Sequence, residues 1–99
     1  MKSIMQENDR CYLCRMAFGT ETHHVFPGNP NRKHSEEDGL TVRLCLNCHW
    51  KVHFDTKDNG ESMLKLKRDG QEAWERCYWK GDEDTTRSAF IERYGRSVL

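Results

Sequence analysis

Apolar residues recur along this chain with two different periods. Thr20 to Phe26 (Thr-Glu-Thr-His-His-Val-Phe) is rich in β-favouring residues and stops at Pro27-Gly28, a strong breaker. Leu40-Thr-Val-Arg-Leu44 alternates apolar and polar positions, the period of a strand with one buried face. Together they predict a hairpin. Between them, Asn29 to Gly39 is polar, with Asn-Pro-Asn, a basic pair and an acidic run, and is expected to be a surface loop. The period then lengthens. Leu46 to about Phe54 suits a helix that places His49 and His53 on one face at i and i+4, and Asp55 to Gly60 is expected to end it. Ser62 to about Tyr78 carries Met63, Leu64, Leu66, Ala73, Trp74 and Tyr78 in helical register, with a break or bend expected near Asp69-Gly70. A shorter helix is expected over Thr86 to Tyr94, packed back on the body by Phe90, Ile91 and Tyr94.

These elements describe one small α+β domain over residues 1–99, with a core at about 8–56 and a helical extension at about 61–99. Only 35% of the residues are hydrophobic and 32% are charged, so burial has little material with which to offset the ordering entropy, and a staple is expected. Five cysteines can supply it. Met1 to Arg10 is polar and mixed in charge, with no apolar run of a secretory signal, and no stretch approaches a membrane span. A reducing cytoplasm is the expected compartment, where paired cysteines more often bind metal than oxidise.

Cys11-x-x-Cys14 and Cys45-x-x-Cys48 have the spacing of two metal knuckles, and four thiolates from two segments suit a structural zinc. A site built instead from Cys11, Cys14, His49 and His53 would need an interval far longer than the roughly 12 to 15 residues of that finger pattern, and would orphan Cys45 and Cys48. Cys77 is left over and is expected to be a small core residue.

With the thiolates assigned, the histidines need their own account. His23 and His24 precede the breaker, His49 follows Cys48, and His53 lies one helical turn later. Neighbours in a strand point to opposite faces, so His23 and His24 should have different tasks. One can join His49 and His53 around a metal, while the other remains free to take a proton from water.

The run Cys11-x-x-Cys14, His23-His24-Val25-Phe26, Leu44-Cys45-x-x-Cys48-His49-x-x-x-His53 resembles the HNH endonucleases of the ββα-metal (His-Me finger) fold, particularly small ones of phages and prophages. The similarity covers Cys11 to His53; the tail, with Gly70-Gln71 and Phe90 to Arg96, is similar to the endings of such proteins in a less specific way. The resemblance implies that His23 is a metal ligand with His49 and His53, and that His24 is the general base. It also implies DNA as substrate, a phage-infected or bacterial cytoplasm, and phage packaging or recombination proteins as candidate partners. Where the family has its middle asparagine, this chain has Asp38, Gly39 and Leu40, with Asn29 and Asn31 earlier and Asn47 inside the knuckle. Asp38 is the candidate to orient the loop or the base through its carboxylate.

The formal net charge is zero, so phosphate binding must come from local placement. Arg32, Lys33 and His34, with Arg43 and Lys51, are the candidates. Trp50 and Trp74 are expected in the core or as staples. Three imidazoles favour zinc, nickel, cobalt or manganese over magnesium. A non-catalytic zinc module that contacts DNA or protein would use the cysteines but has no need of the four histidines, and a thiol redox protein explains neither the repeated knuckle nor the histidines.

Overall fold

A computed structural model describes residues 2–54 and 59–99. In chain order these form β1 (Thr20–His24), α1 (Asn31–Asp38), β2 (Thr41–Cys45), α2 (Leu46–Phe54), α3 (Asn59–Cys77) and α4 (Glu83–Tyr94), an α+β arrangement. The two strands pair antiparallel, with Thr20 opposite Cys45, His23 opposite Val42 and His24 opposite Thr41. Val42 and Leu44 bury one face of this pair beneath α2, which packs on both strands. No helix among the described residues is long and apolar enough to cross a membrane.

The segment expected as a loop from Asn29 to Gly39 is mostly helix, α1. It has no apolar stripe to announce it. Its buried residues are Ser35 and Asp38, so hydrogen bonds rather than hydrophobic contacts seat it. Ser35 Oγ donates to the Phe26 carbonyl at 3.1 Å and accepts from the Phe26 N–H at 3.2 Å. Gly39 ends the helix in the left-handed region at φ +82°, its N–H donating to the Ser35 carbonyl.

The bend expected at Asp69-Gly70 does not occur, and α3 runs continuously through it. A methyl group on Gly70 would lie 3.1 Å from Val25 Cγ1 and 3.4 Å from Phe26 Cε2, so the glycine serves close approach of α3 to the segment after β1. The terminator expected over Asp55 to Gly60 lies partly outside the described residues, and α3 has begun by Asn59. α4 starts at Glu83 rather than Thr86, because Asp82 caps it by accepting from the Thr85 N–H at 2.7 Å. Phe90 and Tyr94 are buried as expected, but Ile91 is exposed. Cys77 is also exposed, not a core residue, and so is Trp50, whereas Trp74 is buried.

Phe26, Trp74, Phe90 and Tyr94 form an aromatic cluster that joins α3 and α4 to the hairpin, with Phe90 and Tyr94 stacked at 4.8 Å. Asp38 anchors the same region. Its carboxylate accepts from Trp74 Nε1 at 2.9 Å, from the Tyr94 hydroxyl at 2.7 Å and from the Arg93 guanidinium at 2.5 and 2.8 Å. The C-terminal helices therefore hold α1 in place.

Gly39 is the tightest backbone position in this arrangement. A Cβ there would sit 2.5 Å from the Lys2 carbonyl oxygen, besides the strain of its positive φ. Gly39→Ala should lower the free energy of unfolding by about 2 to 4 kcal/mol. Urea denaturation measures it, and a loss under about 1 kcal/mol would contradict the packing described.

Candidate metal centre

Cys11 and Cys14 belong to the turn before β1, Cys45 closes β2, and Cys48 lies in the first turn of α2. Their four sulfurs lie within 4.8 Å of one another, close enough to hold a metal ion. Cys14 Sγ and Cys45 Sγ are 3.6 Å apart, near the edge of about 3.8 Å expected for a tetrahedron with metal–sulfur bonds of about 2.3 Å. Both knuckles make the same local bond. The Cys14 N–H donates to Cys11 Sγ at 3.5 Å, and the Cys48 N–H donates to Cys45 Sγ at 3.4 Å. Arg15 takes a left-handed φ of 70° to close the first turn, and its N–H donates to the Cys11 carbonyl at 2.9 Å.

The thiols differ in acidity. Burial opposes ionisation of Cys11, but backbone N–H donors from Cys14, Cys45 and Leu13 outweigh it and bring its pKa down to about 6. Burial and the three neighbouring thiols push Cys48 up instead. One thiolate in this space thus suppresses the next, and all four can be ionised together only around a cation.

A second cluster adjoins the first. His23 from β1 and His49 and His53 from α2 bring ligand nitrogens within 4.8 Å of one another. Their ring centroids are 5.3, 5.3 and 4.8 Å apart. His23 is 3% exposed, and its Nε2 is buried with no hydrogen-bond partner. An orphaned buried nitrogen beside two more imidazoles fits a metal ligand set, since coordination would satisfy it. Burial, then the charges His49 and His53 would carry, lowers the His23 pKa to about 4. Burial and His49 also lower that of His53. His49 Nδ1 lies 3.4 Å from Glu21 Oε1, an arrangement that leaves its Nε2 for a metal.

His24 points to the other face of the strand pair, toward α1. Its Nε2 lies 2.7 Å from Glu36 Oε2. With Gly28, Asn29, Arg32, Lys33 and Glu36 it lines a cleft of about 650 Å³. The ring remains near enough to His23 to contribute to that group's lowered pKa.

The candidate phosphate contacts divide. Arg32 and Lys33 are exposed on this cleft. His34 is engaged elsewhere, with Nδ1 3.0 Å from the Arg93 carbonyl oxygen and its ring against Tyr94. Arg43 is a strut within the hairpin, bonded to Thr22 Oγ1 at 2.8 Å and to Thr20 at 3.2 and 2.5 Å. Lys51 lies on α2, about 200° around the helix from His49. Asp38 bonds to α3 and α4, and the carboxylate on His24 is that of Glu36, which the sequence reading did not single out. No local signal marks it, since the i, i+4 spacing of Arg32 and Glu36 on α1 points to an ion pair that Glu36 does not form among the described residues. Comparison with family models, curated proteins and solved structures gives no match to this chain.

Two outcomes follow from these clusters. Cys45→Ser, or strong chelation of the wild type, should lower the melting temperature markedly and release tightly bound metal; an unchanged melting curve would rule out a structural thiolate site. For His23, the unfolded chain takes up a proton near pH 6.5 while the folded chain does so only at about 4. Stability contributed at neutral pH is therefore lost as pH falls through that window. Urea midpoints of the wild type should drop more steeply between these values than those of His23→Gln, and parallel slopes would refute the buried, neutral state of His23.

Proposed function

We propose that this protein is a metal-dependent HNH-type endonuclease, with β1, β2 and α2 as a ββα-metal core, that hydrolyses phosphodiester bonds in DNA. The observation that carries the reading is the second cluster: His23, His49 and His53 converge although the four cysteine sulfurs already lie close enough to hold a metal ion of their own. A purely structural zinc module leaves that convergence, and the orphaned His23 Nε2, without a use.

On this reading zinc sits among Cys11, Cys14, Cys45 and Cys48 as scaffold. His23, His49 and His53 would hold a divalent ion, zinc, nickel, cobalt or manganese being preferred by imidazoles. Three protein ligands would be the number typical of a catalytic rather than a purely structural site. Bound there, such an ion supplies Lewis-acid stabilisation of the charge that develops on the phosphoryl and leaving 3′-oxygens. The chain's own contribution is positional. Glu21 holds the His49 ring, and Arg32 and Lys33 offer charge to flanking phosphates along the His24 cleft. His24 accepts the proton of the attacking water, whose oxygen forms the new bond to phosphorus as the bond to the 3′-oxygen breaks and that oxygen is protonated by solvent.

His23 and His24 then fail in different ways. His24→Ala should lose roughly 10²- to 10⁴-fold in plasmid cleavage rate while folding and binding both metals. His23→Ala should lose metal from the imidazole site, and excess metal should restore part of its activity. Plasmid cleavage across metal concentrations compares them: metal rescue of His24→Ala would exchange the two roles, and wild-type activity in both variants would leave a non-catalytic zinc-binding module.

A further inference from the structure

Glu36 is placed where the chain offers it other partners. Arg32 and Lys33 precede it on α1 by four and three residues, the spacings at which helical ion pairs form. Among the described residues, however, its carboxylate pairs with His24 across 12 positions of sequence, at 2.7 Å. A carboxylate only accepts, so the neutral His24 ring must donate Nε2–H to it, and a neutral imidazole with its proton on Nε2 carries its lone pair on Nδ1. Among the described residues Nδ1 of His24 makes no hydrogen bond, and the His24 side chain is 17% exposed at the cleft.

We propose that Glu36 is the positioning residue of His24, holding its proton on Nε2 so that Nδ1 is the nitrogen left to take a proton from water. This rests on the nuclease reading for its consequence, though the pairing itself does not. After proton transfer, the imidazolium has an N–H on both nitrogens, and the carboxylate opposite Nε2 balances the new charge without itself being protonated. In this geometry Glu36 forms no ion pair with Arg32 or Lys33 among the described residues, although all three line the cleft. Asp38 cannot take this part, since its carboxylate is occupied by Trp74, Arg93 and Tyr94.

The test uses the full chain loaded with zinc, labelled with ¹⁵N, and Glu36→Ala. The Glu36 side chain is 57% exposed, so its truncation leaves the fold intact. Long-range ¹H–¹⁵N spectra at about pH 8, where imidazoles are neutral, report the tautomer of His24 directly. The wild type should be in the Nε2–H form and Glu36→Ala a mixture, with kcat for plasmid cleavage lower by about 10- to 100-fold at unchanged KM. A wild-type Nδ1–H tautomer, or a tautomer that is the same in both proteins, overturns the pairing. A changed tautomer with unchanged kcat overturns the positioning role. If the wild type does not cleave under any metal, the nuclease reading falls, and the tautomer comparison alone decides the pairing.

Discussion

Cys45 is the last residue of β2 and Cys48 lies in the first turn of α2, so whatever ties these sulfurs to Cys11 and Cys14 also sets the angle at which α2 leaves the hairpin. His49 and His53 inherit their positions from that angle. A small shift of α2 would separate their nitrogens from His23, which is fixed in β1 opposite Val42. With 35% hydrophobic residues in the chain, the buried apolar side chains around Leu44, Val52 and Leu66 are few for holding such an alignment unaided. The thiolate cluster is thus the constraint from which the geometry of the imidazole cluster follows.

The other face of the hairpin is held by different means. Asp38 is buried against Arg93, Trp74 and Tyr94, and burial together with the Asp38 carboxylate pushes the Tyr94 hydroxyl pKa upward, keeping it a donor. Removing one partner from such a group leaves an uncompensated buried charge, which makes the network specific to one docking of α4. Because Asp38 terminates α1, the C-terminal helices also fix Arg32, Lys33 and Glu36 beside His24. The helical extension therefore shapes the cleft although none of its residues lines it.

The strands and α2 were legible in the sequence because strong breakers and a clear change of period bound them. That His23 and His24 face different neighbours, His23 the imidazoles of α2 and His24 the Glu36 carboxylate of α1, was legible for the same reason, since side chains alternate along a strand. α1 was not, because its buried residues are polar and the partners of Asp38 lie 36 to 56 positions away, beyond any local signal. Gly70 was misread because a glycine that breaks a helix and one that admits a neighbour look alike until the neighbour, here Val25, is known. The exposure of Trp50 follows from its neighbour. With His49 turned toward His23, the next residue on the helix is rotated by about 100°, away from the strands.

Zero net charge gives the chain no bulk attraction for phosphates, so any cationic surface depends on where the acids are placed. In the stretch around the clusters, Glu21 sits on His49, Glu36 on His24, and Glu37 and Asp38 on Arg93. Each acid is matched to a group outside the cleft's own cations. Arg32 and Lys33 consequently form no ion pair among the described residues and remain exposed on the cleft beside His24. Arg32 and Lys33 thus share the cleft with the Glu36 carboxylate but form no ion pair with it, and any attraction for phosphates there would be local, without the bulk charge that binds nucleic acid indiscriminately.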